Sequence, residues 1–219
     1  MPSNLIVRQS GFAPIGESTP FPGLASRLGP QVVMDFYTWA ALSGAGFQVR
    51  AGTITTPLVG DVVLTDTAAE MCADCVSGTT IIPVALGIGI RLGTGTLHEH
   101  AAKSVATVSS AGAAFVPLPI KSNGPAAVST ARVAAAGGVT VTAELATTTL
   151  RHWEYANPVA AGAGNDPGLV AASALAWNPR VPPVLVGPRC FYVQIAATTT
   201  GPSYYAHVDY LEFSTASLL

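Results

Sequence analysis

Residues Thr79–Leu92 read TTIIPVALGIGIRL, and they decide the fold. Ile82, Val84, Leu86, Ile88, Ile90 and Leu92 alternate with Pro83, Ala85, Gly87, Gly89 and Arg91. A period of two predicts a strand with one face in a core. The opposite face is made of small residues, which allows close approach of another backbone or subunit. Pro83 has no N–H for a ladder, so it predicts a sheet edge or a bulge near the start of the strand.

Outward from that strand the chain keeps the same character. Phe47–Ile54, Val62–Thr65, Leu97–Val108, Phe115–Ile120 and Val128–Ala134 read as strands between Pro/Gly turns. Val139–Leu150 alternates cleanly, with Val139, Val141, Ala143 and Leu145 inward. Cys190–Ala197 and Tyr204–Phe213 read as a terminal hairpin. A bulge near Tyr210 accounts for the apolar face moving from Ala206, Val208 and Tyr210 to Leu211 and Phe213. Gln31–Leu42 is rich in β-branched and aromatic residues and reads as a strand, against a helical reading with Val32, Phe36 and Trp39 on one face. Thr67-Ala-Ala-Glu70 has the form of a capping box and predicts one short helix over Ala68–Cys75.

The fold class that follows is all-β: a jelly-roll or related antiparallel β-sandwich with an extended N-terminal arm and one short helix. Residues 1–30 form the arm, punctuated by Pro2, Pro14, Pro20, Pro22 and Pro30 and by four glycines. Residues 31–219 form a single domain, with a long contact loop at 153–183. Leu5, Ile6, Val7, Phe12, Ile15, Phe21 and Leu24 of the arm, with Trp153 and Trp177 of the loop, are the candidate assembly contacts.

Charged residues make up 10% of the chain, against roughly 25% in ordinary soluble domains. A surface this poor in charge predicts contact with other protein chains. The net charge is −2 and the arm carries only Arg8 and Arg27, so direct binding of nucleic acid is not expected. Mean hydropathy is +0.45, yet no apolar run reaches the ~18 residues a membrane span needs. Residues 1–10 lack a secretory pattern, and three cysteines give no even disulfide framework, so synthesis in a reducing cytoplasm is expected.

No catalytic motif stands out, and the chain is expected not to be an enzyme. Cys72-Ala-Asp-Cys75 has the spacing of half a zinc site, but reads better as free thiols on the short helix. His98-Glu99-His100 puts two imidazoles on one strand face, which predicts surface histidines more readily than a metal grip. Asp66, Glu70 and Asp74 read as a solvated acidic stripe on that helix. Glu99, Glu144, Glu154 and Asp209 have the residue type needed for glycoside cleavage, without a pattern that pairs them. Trp39, Trp153, Trp177, Tyr204 and Tyr205 have the type for stacking on sugars, or for packing. No cofactor, metal or small-molecule ligand is expected.

The punctuated arm, the Thr/Ala/Gly-rich strands such as Val139–Thr149, and the end at Ser214-Thr215-Ala216 give the chain a resemblance. It resembles virion structural proteins of tailed bacteriophages, especially jelly-roll cement or decoration proteins of the capsid. The resemblance implies a homotrimer in the virion, made in the host cytoplasm, whose arms reach the major capsid protein of neighbouring capsomers. Two other roles fit the same composition: a carbohydrate- or receptor-binding protein of a tail or vertex, and a shell-forming capsid subunit.

Overall fold

The computed structural model describes residues 35–92, 97–134, 138–145, 147–158 and 174–218. The arm residues 1–30, and with them Leu5, Ile6, Val7, Phe12, Ile15, Phe21 and Leu24, lie outside this set, as do residues 159–173 of the 153–183 segment.

The described chain opens with α1 (Phe36–Ser43), followed by β1 (Gly46–Ala51), β2 (Leu58–Val59), β3 (Ala68–Ala69) and β4 (Met71–Cys75). Next come β5 (Thr79–Leu92), β6 (Leu97–Val105), β7 (Ser110–Ala111), β8 (Ala113–Phe115), β9 (Leu118–Pro119) and β10 (Thr130–Val133). The last strands are β11 (Val139–Thr140), β12 (Leu150–Pro158), β13 (Ala174–Trp177), β14 (Leu185–Val186), β15 (Arg189–Ala197) and β16 (Ser203–Ser214).

The first sheet runs β13-β5-β16-β1-β9, with β14 added to β5 and β2 to β16. The second runs β12-β6-β15-β4-β10-β8, and a small ribbon β3-β11-β7 stands apart. Every ladder between named strands is antiparallel, as expected for an all-β sandwich. The sheets pack face to face. Val49, Leu86, Ile88, Tyr204, Val208 and Tyr210 of the first meet Met71, Ala73, Ala102, Phe191, Val193 and Ile195 of the second in one core.

β5 has the bounds its alternation predicts, but its apolar residues divide between two faces. Leu86, Ile88 and Ile90 enter the main core, whereas Ile82 and Val84 join a second cluster under α1. The ladder with β16 explains this. Asp209 pairs with Ala85 and Tyr210 with Pro83, so Val84 is an extra residue on β5. Pro83 therefore sits at a bulge, where its missing N–H does least harm. The irregularity expected near Tyr210 is there, but β16 itself alternates without a break. Tyr204, Ala206, Val208 and Tyr210 face the core, while Leu211 and Phe213 face α1.

Several sequence expectations are corrected. Phe36–Ser43 is helix, not strand. Asp35 caps its start by accepting from the Thr38 N–H at 3.0 Å. Its end is a left-handed Gly44 (φ 87°), with Gly44 N–H bonded to Ala41 O and Ala45 N–H to Ala40 O.

Conversely, the expected short helix at Ala68–Cys75 is β3 and β4. β4 lies between β15 and β10, so ladders on both sides outweigh the local capping signal. The strand expected at Val62–Thr65 is irregular, and among the described residues of Val139–Leu150 only Val139–Thr140 and Leu150 are strand. The expected loop at 153–183 begins inside β12 and contains β13, and among its described residues only 178–183 are irregular. The terminal strands are no hairpin. β15 belongs to the second sheet and β16 to the first, so the turn between them crosses the sandwich.

Candidate functional site

Part of the polar chemistry in this molecule is sealed, while large aliphatic side chains stand exposed among the threonines and serines of the surface. β6 illustrates the first half. Its outward residue Lys103 is capped by the segment after β11, where Glu144 Oε2 lies 2.7 Å from Lys103 Nζ. Arg151 Nε donates to the other Glu144 oxygen at 2.6 Å, and Glu154 closes the cluster. The Lys103 hydrogen bond, reinforced by Arg151, holds the Glu144 carboxyl below the usual range. Asp209 is on the other sheet, bonded to Gln48 at 2.7 Å, so the four candidate carboxylates are not brought together.

The histidines His98 and His100 share a strand face, as expected, but they are buried and point inward. His100 stacks on Tyr155, with ring centroids 5.9 Å apart. His152 bulges out of the β12 register, packs against Phe191 and shares a 3.0 Å contact with the Ser104 hydroxyl. Burial pushes both His100 and His152 down to about 4, helped by His98 and Arg189 respectively.

The acidic stripe is corrected in the same way: Glu70 and Asp74 are buried. Glu70 stands where β4 leaves β15, and its carboxyl takes the place of a ladder carbonyl, accepting from Ile195 N–H at 2.7 Å. Burial pushes it up to about 8. Asp74 accepts from both the backbone N–H and the hydroxyl of Ser109, at 2.8 and 2.7 Å. All three cysteines are free and buried. Cys72 and Cys75 sit an odd number of residues apart on a strand, so they face opposite sides of the sheet.

The aromatic set is dispersed as well. Trp177 is 9% exposed and stacks on Phe191 in the core, 6.0 Å between centroids. Trp153 packs against the same core and stacks on Tyr155. Tyr204 is fully buried. Tyr205 lies on the outer face of the first sheet, over Gly89, and His207 lies over Gly87. The small residues of β5 thus make room for side chains of the adjacent strand, not for another backbone.

Among the described residues, Ile54, Val59, Val62 and Val63 are exposed, as are Tyr37 and Leu42 of α1. Two further apolar groups, which sequence reading did not single out, stand beside recognisable features of the fold. One surrounds a hollow of about 540 Å³ lined by Glu144, Thr149, Leu150, Arg151, His152 and Pro183. Leu150, which lines it, is 49% exposed, and beside Pro183 stand Val181 and Val184 of the β13–β14 connection and Val186 of β14, which are 85%, 59% and 52% exposed. The other follows the edge strand β9, where Val116, Leu118 and Ile120 alternate at 54%, 43% and 50% exposure. The signal was in the sequence as valines two and three apart beside Pro182-Pro183, but exposure itself is a tertiary property. No family model, no curated protein and no solved structure matches this chain.

Proposed function

We propose that the chain is a structural subunit of a virus-like shell, a cement or decoration protein that binds copies of itself and a major capsid protein. One observation carries this reading. Large aliphatic side chains stand exposed in groups on a surface whose charge content is 10%. Scattered singly they would mean nothing, but grouped on an edge strand and around a hollow they fit surfaces that a partner covers. Complete burial of each valine or leucine is worth about 1.5–3 kcal/mol, reduced by the part already covered.

The mechanism is thermodynamic. A subunit that binds only the assembled state stabilises that state by mass action, and many modest contacts add through multivalency. The dispersed aromatics give a sugar-binding role no platform of the kind the sequence suggested.

Sedimentation of the full chain tests the reading. A defined homo-oligomer is expected, with Leu118→Asp and Val184→Asp each weakening self-association at least tenfold while far-ultraviolet circular dichroism stays unchanged. A chain that remains monomeric at high concentration, with both variants indistinguishable from it, would refute the proposal.

A further inference from the structure

The outer face of the second sheet, beneath the ribbon that carries β7 and β11, holds a group of metal-type donors that the surface reading does not use. Cys72 and Asp74 come from β4 and Cys190 from β15. Their Sγ and carboxylate oxygen atoms all lie within 4.8 Å of one another, and all three residues are buried. The Ser109 hydroxyl, from the covering segment, is 2.7 Å from Asp74 Oδ2 and 3.0 Å from Cys72 Sγ. Arg132 Nε stands 3.7 Å from the same Asp74 oxygen and is buried without a hydrogen bond.

We propose that Cys72, Cys190 and Asp74, with Ser109 Oγ beside them, form a binding site for a thiophilic divalent cation of the zinc class. Two thiolates and a carboxylate are donors that such a cation prefers, and a hydroxyl completes a tetrahedral set. Bond lengths of about 2.0–2.3 Å give tetrahedron edges of roughly 3.3–3.8 Å, so the two thiols and the carboxylate need to close by up to about 1.5 Å and the Ser109 hydroxyl to move apart from Asp74 and Cys72 by roughly 0.5 Å.

Charge decides that the site tolerates burial. Two thiolates, one carboxylate and a divalent cation leave one negative charge, and the Arg132 guanidinium neutralises it. A buried cluster without that balance would be expensive. Binding is a simple exchange: the cation enters, two thiol protons leave, and the carboxylate is unchanged.

The spacing Cys72-x-x-Cys75 pointed to the wrong pair. Cys75 faces the main core, with its Sγ 3.3 Å from Leu185 O and 3.2 Å from Thr79 O. The partner of Cys72 is Cys190, brought beside it by the β4–β15 ladder, in which Tyr192 pairs with Cys72 and Cys190 with Asp74. A bound cation would pin the covering segment to two central strands.

The test is refolding of the full chain with cobalt(II), followed by desalting. Expected are one cobalt per chain, a thiolate-to-cobalt charge-transfer band, tetrahedral visible bands, and two protons released per metal. Cys75→Ala should keep the bands; Cys72→Ser and Cys190→Ser should lose the charge-transfer intensity. Absence of any thiolate band in the refolded parent chain overturns the proposal, whether or not the variants fold. So does a full band in Cys190→Ser.

Discussion

On the outer face of the first sheet, Tyr205 and His207 lie over Gly89 and Gly87, and α1 shields Ile82, Leu211 and Phe213. On the outer face of the second sheet, Lys103, Asp74, Cys72 and Cys190 are sealed under the ribbon and the segment after it. Both faces belong to one sandwich, yet one is closed by packing and the other by a polar network. Packing tolerates small displacements because neighbouring side chains give way. A buried ionic network does not, because removing one member leaves another uncompensated.

The largest difference is expected where the network is densest. Glu144→Gln leaves Lys103 and Arg151 without their shared carboxylate, and Lys103 is only 9% exposed. A loss of about 2–3 kcal/mol is expected from denaturant unfolding. A loss under a few tenths would mean that the second sheet is closed by packing after all.

The next effect is one of pH. Glu70, held at about 8, binds its proton in the folded chain more tightly than in the unfolded one. Its stabilisation is complete below its unfolded value near 4.5 and disappears as pH rises through about 8. His100 and His152, held at about 4, act in the opposite direction: stability is complete above about 6.5 and falls as pH drops towards 4. The full chain should therefore be most stable in mildly acidic buffer. Glu70→Gln keeps an acceptor for Ile195 N–H and should flatten the alkaline limb while sparing the acid one. An unchanged alkaline limb would assign it to another group.

The smallest effect belongs to the first sheet. A Cβ at Gly89 would lie 2.1 Å from the Tyr205 ring, so Gly89→Ala must turn that ring outward. Tyr205 is half-buried and flexible, and alanine is the better strand residue, so a cost of about 1 kcal/mol is expected. Increased quenching of tyrosine fluorescence should accompany it. Wholesale unfolding would show that this face is as unforgiving as the other.

What the sequence revealed follows the same division. The alternation of Thr79–Leu92 marked the bounds of β5 because a period of two declares itself locally, but the bulge at Val84, which divides its large residues between two faces, did not. Met71-Cys-Ala-Asp-Cys75 did not, since Thr67 and Glu70 imitate a helix start. Only ladders from β10 and β15, far away in the chain, make it a strand. Phe36–Ser43 failed in the other direction: aromatic content argued for a strand, while Asp35 and Gly44 were the better signals. The nearness of Cys72 to Cys190 depends on topology and leaves no local trace, and the valines beside Pro182-Pro183 show their spacing in the sequence but not their exposure.

β16 is made last, yet it stands in the middle of the first sheet, with β5 on one side and β1 on the other. Those two strands have no other bridge between them, so a ribosome that has produced most of the polypeptide has still produced only half a structure. Until Ser203–Ser214 emerges, the facing edges of β1 and β5 have no strand between them. Removing Ser203–Ser214 would therefore cost the first sheet its middle rather than its margin.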